Sequence, residues 1–434
     1  MSPINGLVIM IFQKKILFGI IWCLLIAAGD VHAQFSMSGQ FIPRLEFRNG
    51  YRTPARDATK PAVFVSQRSR LILDYKKSKI TTKLSLQDVR VWGDEPQLSN
   101  ISNIALHEAW AQLALDDHWG IRLGRQELVY DDHRLLGNVD WIQQARSHDA
   151  LLIRLNNQGF TAHLGLAYNN EGESLVRDDY TLANYRALGL LWLKKSYENG
   201  MAVSLMSVID GLEDDRGSLH YRWTVGPHLQ YNSNNYSLGS TFYYQLGENT
   251  EDVGLSAFLF SLNNTFKLNK SSIGFGMDYV SGTDGLDPSN DKIRSFHTLY
   301  ATNHKFYGLM DFFLNIPSDT KGGGLLDAYA KINSSIGNKS SFDGHLHYFL
   351  LANKVQNPDN PNNSIDSGLG VELDLIYTLN IHPEVQLKLG WSTMLPTDAM
   401  RIIRGGDQGN FNTWAWTMIV FKPQFFNLKT TEDD

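Results

Sequence analysis

A single apolar leader opens this chain, and nothing after it is long and apolar enough to cross a membrane as a helix, while short segments of apolar and polar alternation recur to the C-terminus. The leader carries Lys14 and Lys15, then an apolar run from Ile16 to Ala28, then Val31-His32-Ala33. These are the charged, apolar and small-residue zones of a secretory signal peptide, so residues 1–33 are read as removed and the mature chain as starting near Gln34. Met10 would begin a leader of ordinary length. The only cysteine, Cys23, lies in the leader behind Trp22, where lipid attachment needs a small residue. An exported chain without cysteine has no disulfides to hold it. A closed barrel solves that problem, because every strand edge is paired.

Composition agrees: 43 % hydrophobic, 19 % charged and 12 % aromatic residues are too polar for helical spans and too aromatic for disorder. The formal net charge of -6 leaves no basic balance for nucleic acid.

A transmembrane strand needs about 9 to 11 residues with lipid-facing apolar side chains alternating with lumen-facing polar ones. From Leu369, one face reads Leu369, Val371, Leu373, Leu375, Tyr377 and Leu379, against Gly370, Glu372, Asp374 and Thr378. Val385, Leu387, Leu389 and Trp391 oppose Gln386, Lys388, Gly390 and Ser392. Phe342, Leu346 and Tyr348 oppose Asp343, His345 and His347; Ile273, Phe275 and Met277 oppose Gly274, Gly276 and Asp278. A soluble sandwich alternates too. Lipid is favoured by aromatics near strand ends (Tyr75, Trp92, Tyr168, Tyr231, Tyr377, Trp391) and by charges that a wet lumen accepts and a dry core does not.

The fold class expected is therefore all-β, a transmembrane antiparallel barrel of about 18 strands, with the stretch from Ser281 to Pro317 read either as one strand or as an irregular loop. The barrel spans 34–426, its last strand running from Thr413 to Phe426, and 427–434 form a polar tail. Tight connections such as 156–159, 232–235 and 337–339 alternate with longer ones such as 210–217 and 356–367. Strands begin so soon after the leader that no plug domain fits before them.

From Gly124 the chain reads Gly124-Arg125-Gln126-Glu127-Leu128, then Asp132, Arg134, Leu135, Leu136, Gly137, Asp140-Trp141 and Ala145-Arg146-Ser147-His148-Asp149-Ala150. This run resembles the signature of the alginate export family of outer-membrane porins. Leu86-Gln87-Asp88-Val89-Arg90 with Trp92-Gly93, His107-Glu108-Ala109, and His304-Lys305-Phe306-Tyr307-Gly308 with Asp311 are similar too. The resemblance implies an eighteen-stranded monomeric barrel whose lumen, lined by arginine and lysine, passes an anionic polyuronate by diffusion. The residue chemistry is consistent: each sugar carries a carboxylate, and arginine offers a bidentate fork.

Alternation places Arg68 and Arg70 on one face with Asp74, Lys83 with Thr81, Ser85 and Gln87, and Arg154 and Lys388 on the polar faces of their strands. Arg90 enters with its motif. Arg122 and Arg125 cannot both face the lumen on a regular strand, and Arg125 is chosen because it matches the motif. Arg134 and Arg146 fall in the connection from Val129 to Ser147, long enough to fold inward and narrow the pore. They either touch substrate or pair with Glu127, Asp131, Asp132, Asp140 and Asp149 to brace the wall.

Other groupings carry less. His345 and His347 beside Asp343 have metal-compatible spacing, but read first as lumen polar groups. The acids at 213–215 and at Asp284, Asp287 and Asp291 lack an ordered calcium-ligand series, and Lys321-Gly322-Gly323-Gly324 lacks the strand-to-helix context of a phosphate cradle. The function expected is passive diffusion of anionic solutes, acidic polysaccharide such as alginate included, in the outer membrane of a Gram-negative bacterium, with no enzyme activity and no cofactor. The partners expected are outer-membrane lipid and an anionic saccharide or small anion, not nucleic acid. The alternatives are a lipase-like barrel enzyme, for which no serine and histidine pair is visible, and a secreted sandwich that binds saccharide. Glu108, Glu372 and Asp374, should they face the lumen, would shift a basic pore toward mixed selectivity.

Overall fold

The computed structural model describes residues 33–99 and 103–428; the leader, apart from Ala33, and the last residues of the tail lie outside that range. Strands that alternate in hydropathy pair with their chain neighbours here from end to end. In order they are β1 (Ala33–Asn49), β2 (Ala62–Lys77), β3 (Ile80–Val91), β4 (Ile104–Ala114), β5 (Trp119–Gln126) and β6 (His148–Asn157). Then come β7 (Phe160–Tyr168), β8 (Ala187–Ser196), β9 (Met201–Glu213), β10 (Leu219–Asn232), β11 (Tyr236–Glu248), β12 (Gly254–Lys267) and β13 (Ser271–Val280). The circuit ends with β14 (Leu325–Ile336), β15 (Ser340–Leu351), β16 (Gly368–His382), β17 (Val385–Pro396) and β18 (Asn412–Phe421, continuing as Gln424–Leu428). β18 pairs antiparallel with β1, closing an 18-strand barrel that has no free edge.

Side-chain direction follows the pleat. On β10, His220, Arg222, Thr224 and His228 are buried, while Tyr221 and Trp223 between them are exposed. On β7, His163 is buried between exposed Leu164 and its neighbours. On these two strands the exposed set is apolar and the buried histidines, arginine and threonine are polar, as expected when lipid lies outside and water and loops lie inside; elsewhere, as at Trp192, Met206 and Trp414, the inward residues are apolar and pack against the inward segments. Trp92 and Tyr168 sit at one rim. Tyr75 and Tyr231 lie toward the other.

The connections divide by side. All those on the side of the β2–β3 turn are tight, with Gln158 and Gly159 linking β6 to β7 in positive-φ conformations. The opposite side carries the longer loops, among them a loop with a short two-stranded ribbon between β15 and β16 and one with a helix, α2 (Asp398–Arg404), between β17 and β18. Three boundaries differ from the alternation reading. The connection read as 210–217 shrinks to 214–218, because β9 and β10 stay paired out to Glu213 and Leu219. The last strand breaks at Lys422 and Pro423, where a proline cannot donate to the ladder, and runs on to Leu428. Leu369, assigned to the lipid face, is fully buried, because a bulge at this point shifts the register between Phe349 and Leu350.

Two long connections fold into the lumen: residues 127–147 after β5 and 281–324 after β13. The second is irregular, holding a two-residue strand (Lys292–Ile293), one 3-10 turn (Asn303–Lys305) and a four-residue helix, α1 (Ile316–Asp319). Leu128, Leu135 and Leu136 from the first segment and Phe296, Phe306, Met310, Phe312 and Phe313 from the second are all buried. They form an apolar core inside the barrel, which is what converts a wide eighteen-strand ring into a narrow passage.

Candidate lumen constriction

The two inward segments are joined by backbone hydrogen bonds. Tyr300 N–H donates to Leu135 O at 2.9 Å, Gly137 N–H to Tyr300 O at 3.0 Å, and Thr302 N–H to His133 O at 3.0 Å. Arg134 fastens this unit to the wall: its guanidinium reaches Asp132 and Asp278, each at 2.8 Å, and lies 3.9 Å over the Phe306 ring. On the opposite flank Trp141 stacks on His304 at 4.5 Å, Arg44 covers Trp141 at 4.1 Å, and Asp311 accepts from His304 Nδ1 at 2.6 Å. Burial and the neighbouring Lys305 ammonium hold the His133 imidazole below its ordinary range, and burial likewise lowers Lys305.

The residues selected from sequence separate into three groups. Arg68, Arg70, Lys83, Arg154 and Lys388 face the lumen. Of these, Arg68 is almost fully buried against Asp140 at 2.9 Å, Arg70 is tied to Gln87 at 2.8 Å, and Lys83 is neutralised by Glu108 at 2.6 Å. Arg134 and Arg146 lie in the inward segment as expected, Arg134 as a fully paired brace and Arg146 donating to Ala301 O at 3.1 Å.

Arg90 and Arg125 face away from the lumen. Arg68 and Arg70 pair with Val89 and Gln87, so Asp88 and Arg90 take the outer face, joined at 2.7 Å. β5 keeps an unbroken register with both neighbours, so Arg125 shares the outward parity of exposed Leu123 and pairs with Asp149 at 3.2 Å. Arg122 is the residue that turns inward.

Arg122 and Arg154, on adjacent strands, converge on one acceptor, Gln112 Oε1, at 2.9 and 2.6 Å. Arg154 also donates to His163 Nε2 at 3.2 Å, which leaves the His163 proton on Nδ1 toward Tyr130. Lys305, Lys331, Lys388 and Lys422 line two lumen cavities of about 420 and 380 Å³ that share Lys305 and His345. Among the described residues none of Arg122, Arg154, Lys305 and Lys331 pairs with a carboxylate; their contacts are amide, imidazole, backbone carbonyl and ring. Sequence reading missed Arg122, Lys305, Lys331 and Lys422. Strand parity counted back from Gln126 points to Arg122, whereas the Lys305 motif carries no period that places it in the lumen.

Barrel, rim aromatics and inward constriction together define an outer-membrane β-barrel channel of the porin class. Residues 34–167 match the family model described as alginate export. No curated protein matches the chain in sequence. Among solved structures, OccK9 (OpdG) of Pseudomonas aeruginosa aligns with a TM-score of 0.58 at 12 % identity, over 90 % of this chain and 98 % of that one. A BenF-like porin from Pseudomonas fluorescens Pf-5 aligns at 0.59 and 10 % identity, over 90 % and 99 %. OpdK of Pseudomonas aeruginosa, solved with vanillate, aligns at 0.55 and 9 % identity, over 90 % and 99 %. At these identities the likeness is one of fold.

Proposed function

We propose that this protein is a diffusion channel for anionic solutes, with carboxylate-bearing saccharides such as oligouronates as its main cargo, acting as a single closed barrel. The observation that carries this reading is the Arg122 and Arg154 pair, two guanidiniums on the lumen wall that share a neutral amide acceptor and, among the described residues, have no carboxylate partner. Such groups keep donors to offer a passing carboxylate, and they hold it in a fork geometry that a lysine cannot match. The unpaired lysines around the two cavities extend the same field along the lumen. The alginate export match over residues 34–167 supports a uronate as the sugar acid.

A second cargo class, small monomeric carboxylates, is favoured by the apolar core that the inward segments build across the lumen, and the neighbour solved with vanillate supports it. The test is reversal potential and single-channel current in planar bilayers under a salt gradient, followed by titration with oligouronates and with vanillate. Anion preference with block by oligouronates is the expected result. Equal permeability to both ions would overturn the anionic reading, and block by vanillate alone would transfer it to small acids.

A further inference from the structure

Two carboxylic acids on the lumen face of β16, Glu372 and Asp374, are 0 % and 1 % exposed, and neither is ion-paired with a lysine or arginine among the described residues. Each gives one oxygen to the inward segment: Glu372 Oε1 accepts Met310 N–H at 2.8 Å and Asp374 Oδ2 accepts Leu309 N–H at 3.4 Å. The other two oxygens, Glu372 Oε2 and Asp374 Oδ1, are buried and without a hydrogen-bond partner. A buried, uncompensated carboxylate pair is costly enough that a cation, proton or metal, is required to settle it.

The cross-strand neighbours decide between those two. On β15, His345 lies directly opposite Asp374 and His347 opposite Glu372, so both imidazoles share the lumen face with the acids. One ligand atom from each of His345, His347 and Asp374 lies within 4.8 Å of the other two. His347 Nδ1 is taken by Asp327, whose two oxygens each stand 2.9 Å away, leaving Nε2 as the nitrogen with a free lone pair. An imidazole oriented by an outer carboxylate is the arrangement that surrounds histidines bound to zinc. Lys331, opposite His345 on the other side, holds its ammonium over the Tyr329 ring at 4.6 Å. His345 also lines both lumen cavities, so a fourth position stays open to water.

We infer that His345, His347 and Asp374 form a binding site for a divalent transition cation of the zinc class on the lumen wall, with Asp327 orienting His347. Two nitrogens and one oxygen, with an open position, suit Zn²⁺ and its neighbours and disfavour Ca²⁺ and Mg²⁺, which require oxygen shells. Because the same acids hold Leu309 and Met310, the cation would also stiffen the attachment of the inward segment to the wall. This site rests on these side chains alone and not on the identity of the cargo.

The test uses the untagged barrel in detergent, stripped with chelator and titrated calorimetrically with Zn²⁺, with Ca²⁺ as the comparison. The result expected is one Zn²⁺ per chain, with affinity lowered by about tenfold or more in His345→Ala and by about 10- to 100-fold in Asp327→Asn, while Ca²⁺ does not compete. X-ray absorption at the zinc edge should report two imidazole nitrogens. His345 is only partly buried, so the H345A barrel should keep its heat-modifiable mobility. Absence of stoichiometric Zn²⁺ binding, affinity unchanged in folded H345A, or an all-oxygen zinc shell would each overturn the site and leave a shared proton between Glu372 and Asp374.

Discussion

Arg122 and Arg125 stand three residues apart on one strand and do opposite things. Arg122 lies 3.9 Å over the Trp110 ring and reaches Gln112 inside the barrel, whereas Arg125 meets Asp149 on the outer face. Replacing each by alanine therefore separates lumen charge from motif membership. Arg122→Ala should lower the anion-to-cation permeability ratio by about two- to fivefold, the effect of about 1 kcal/mol for one charge a few ångströms from a permeating ion in wet surroundings. Arg125→Ala should leave the ratio unchanged, and reversal potentials of the two variants in one salt gradient are the check. A drop in Arg125→Ala equal to that in Arg122→Ala would mean that the strand is turned over. Sequence reading recognised the parity conflict between these two residues but settled it by motif, and the motif here marks the rim of the barrel. Arg68 lies on the face that alternation assigns to the lumen; its capture by Asp140 is not legible in the sequence, since the acid comes from a loop more than seventy residues away.

At the scale of elements, period-two alternation is readable because each strand is solvated differently on its two faces, so the faces of β13, β15 and β17 follow from the sequence. Segment 281–324 has no such period, since it packs side chains in every direction against a wall and another loop. Its buried aromatics resemble a soluble core and left a strand and a loop equally open. One titrating group in this segment gives it a pH response. His297 is buried beside the Arg222 guanidinium; burial and that charge push its imidazole down to about 3, against a smaller opposing pull from Asp210. Its Nδ1 accepts from Leu299 N–H at 2.9 Å, and Gln245 brackets its backbone from β11. The folded form thus holds the neutral ring. Its stabilising contribution is complete above the ordinary histidine value near 6.5 and is lost as pH falls from there toward 3, at roughly 1.4 kcal/mol per pH unit. Current fluctuations and protease cutting within 281–324 should rise below about pH 6 in the parent and much less in His297→Asn, whose amide oxygen can replace Nδ1 as acceptor. A pH-independent segment would show that the ring is already charged.

For the whole molecule, the barrel supplies a rigid closed wall and the inward segments decide what passes. A small acid needs only the space that exists at rest, whereas a uronate chain several sugars long must keep many carboxylates in register through a lumen that the packed inward segments partly fill. The difference predicts what happens when the constriction is fixed. Residues 34–434 hold no cysteine, so one engineered pair in the barrel is unambiguous. Gly137 and Thr302 face one another across the join of the two segments; a Cβ at Gly137 would lie 3.2 Å from that of Thr302 and 2.9 Å from that of His133, so the join must open by a few tenths of an ångström to reach the separation of about 3.8 Å in a disulfide. In a Gly137→Cys, Thr302→Cys barrel, reduction and oxidation switch the same molecule between a free and a tied constriction. Oxidation should leave chloride conductance and vanillate block nearly unchanged and abolish uptake of oligouronates into liposomes, with reductant restoring it. If tied and free barrels admit oligouronates alike, the resting passage is already wide enough for the chain, and the inward segments serve to place charge and not to yield.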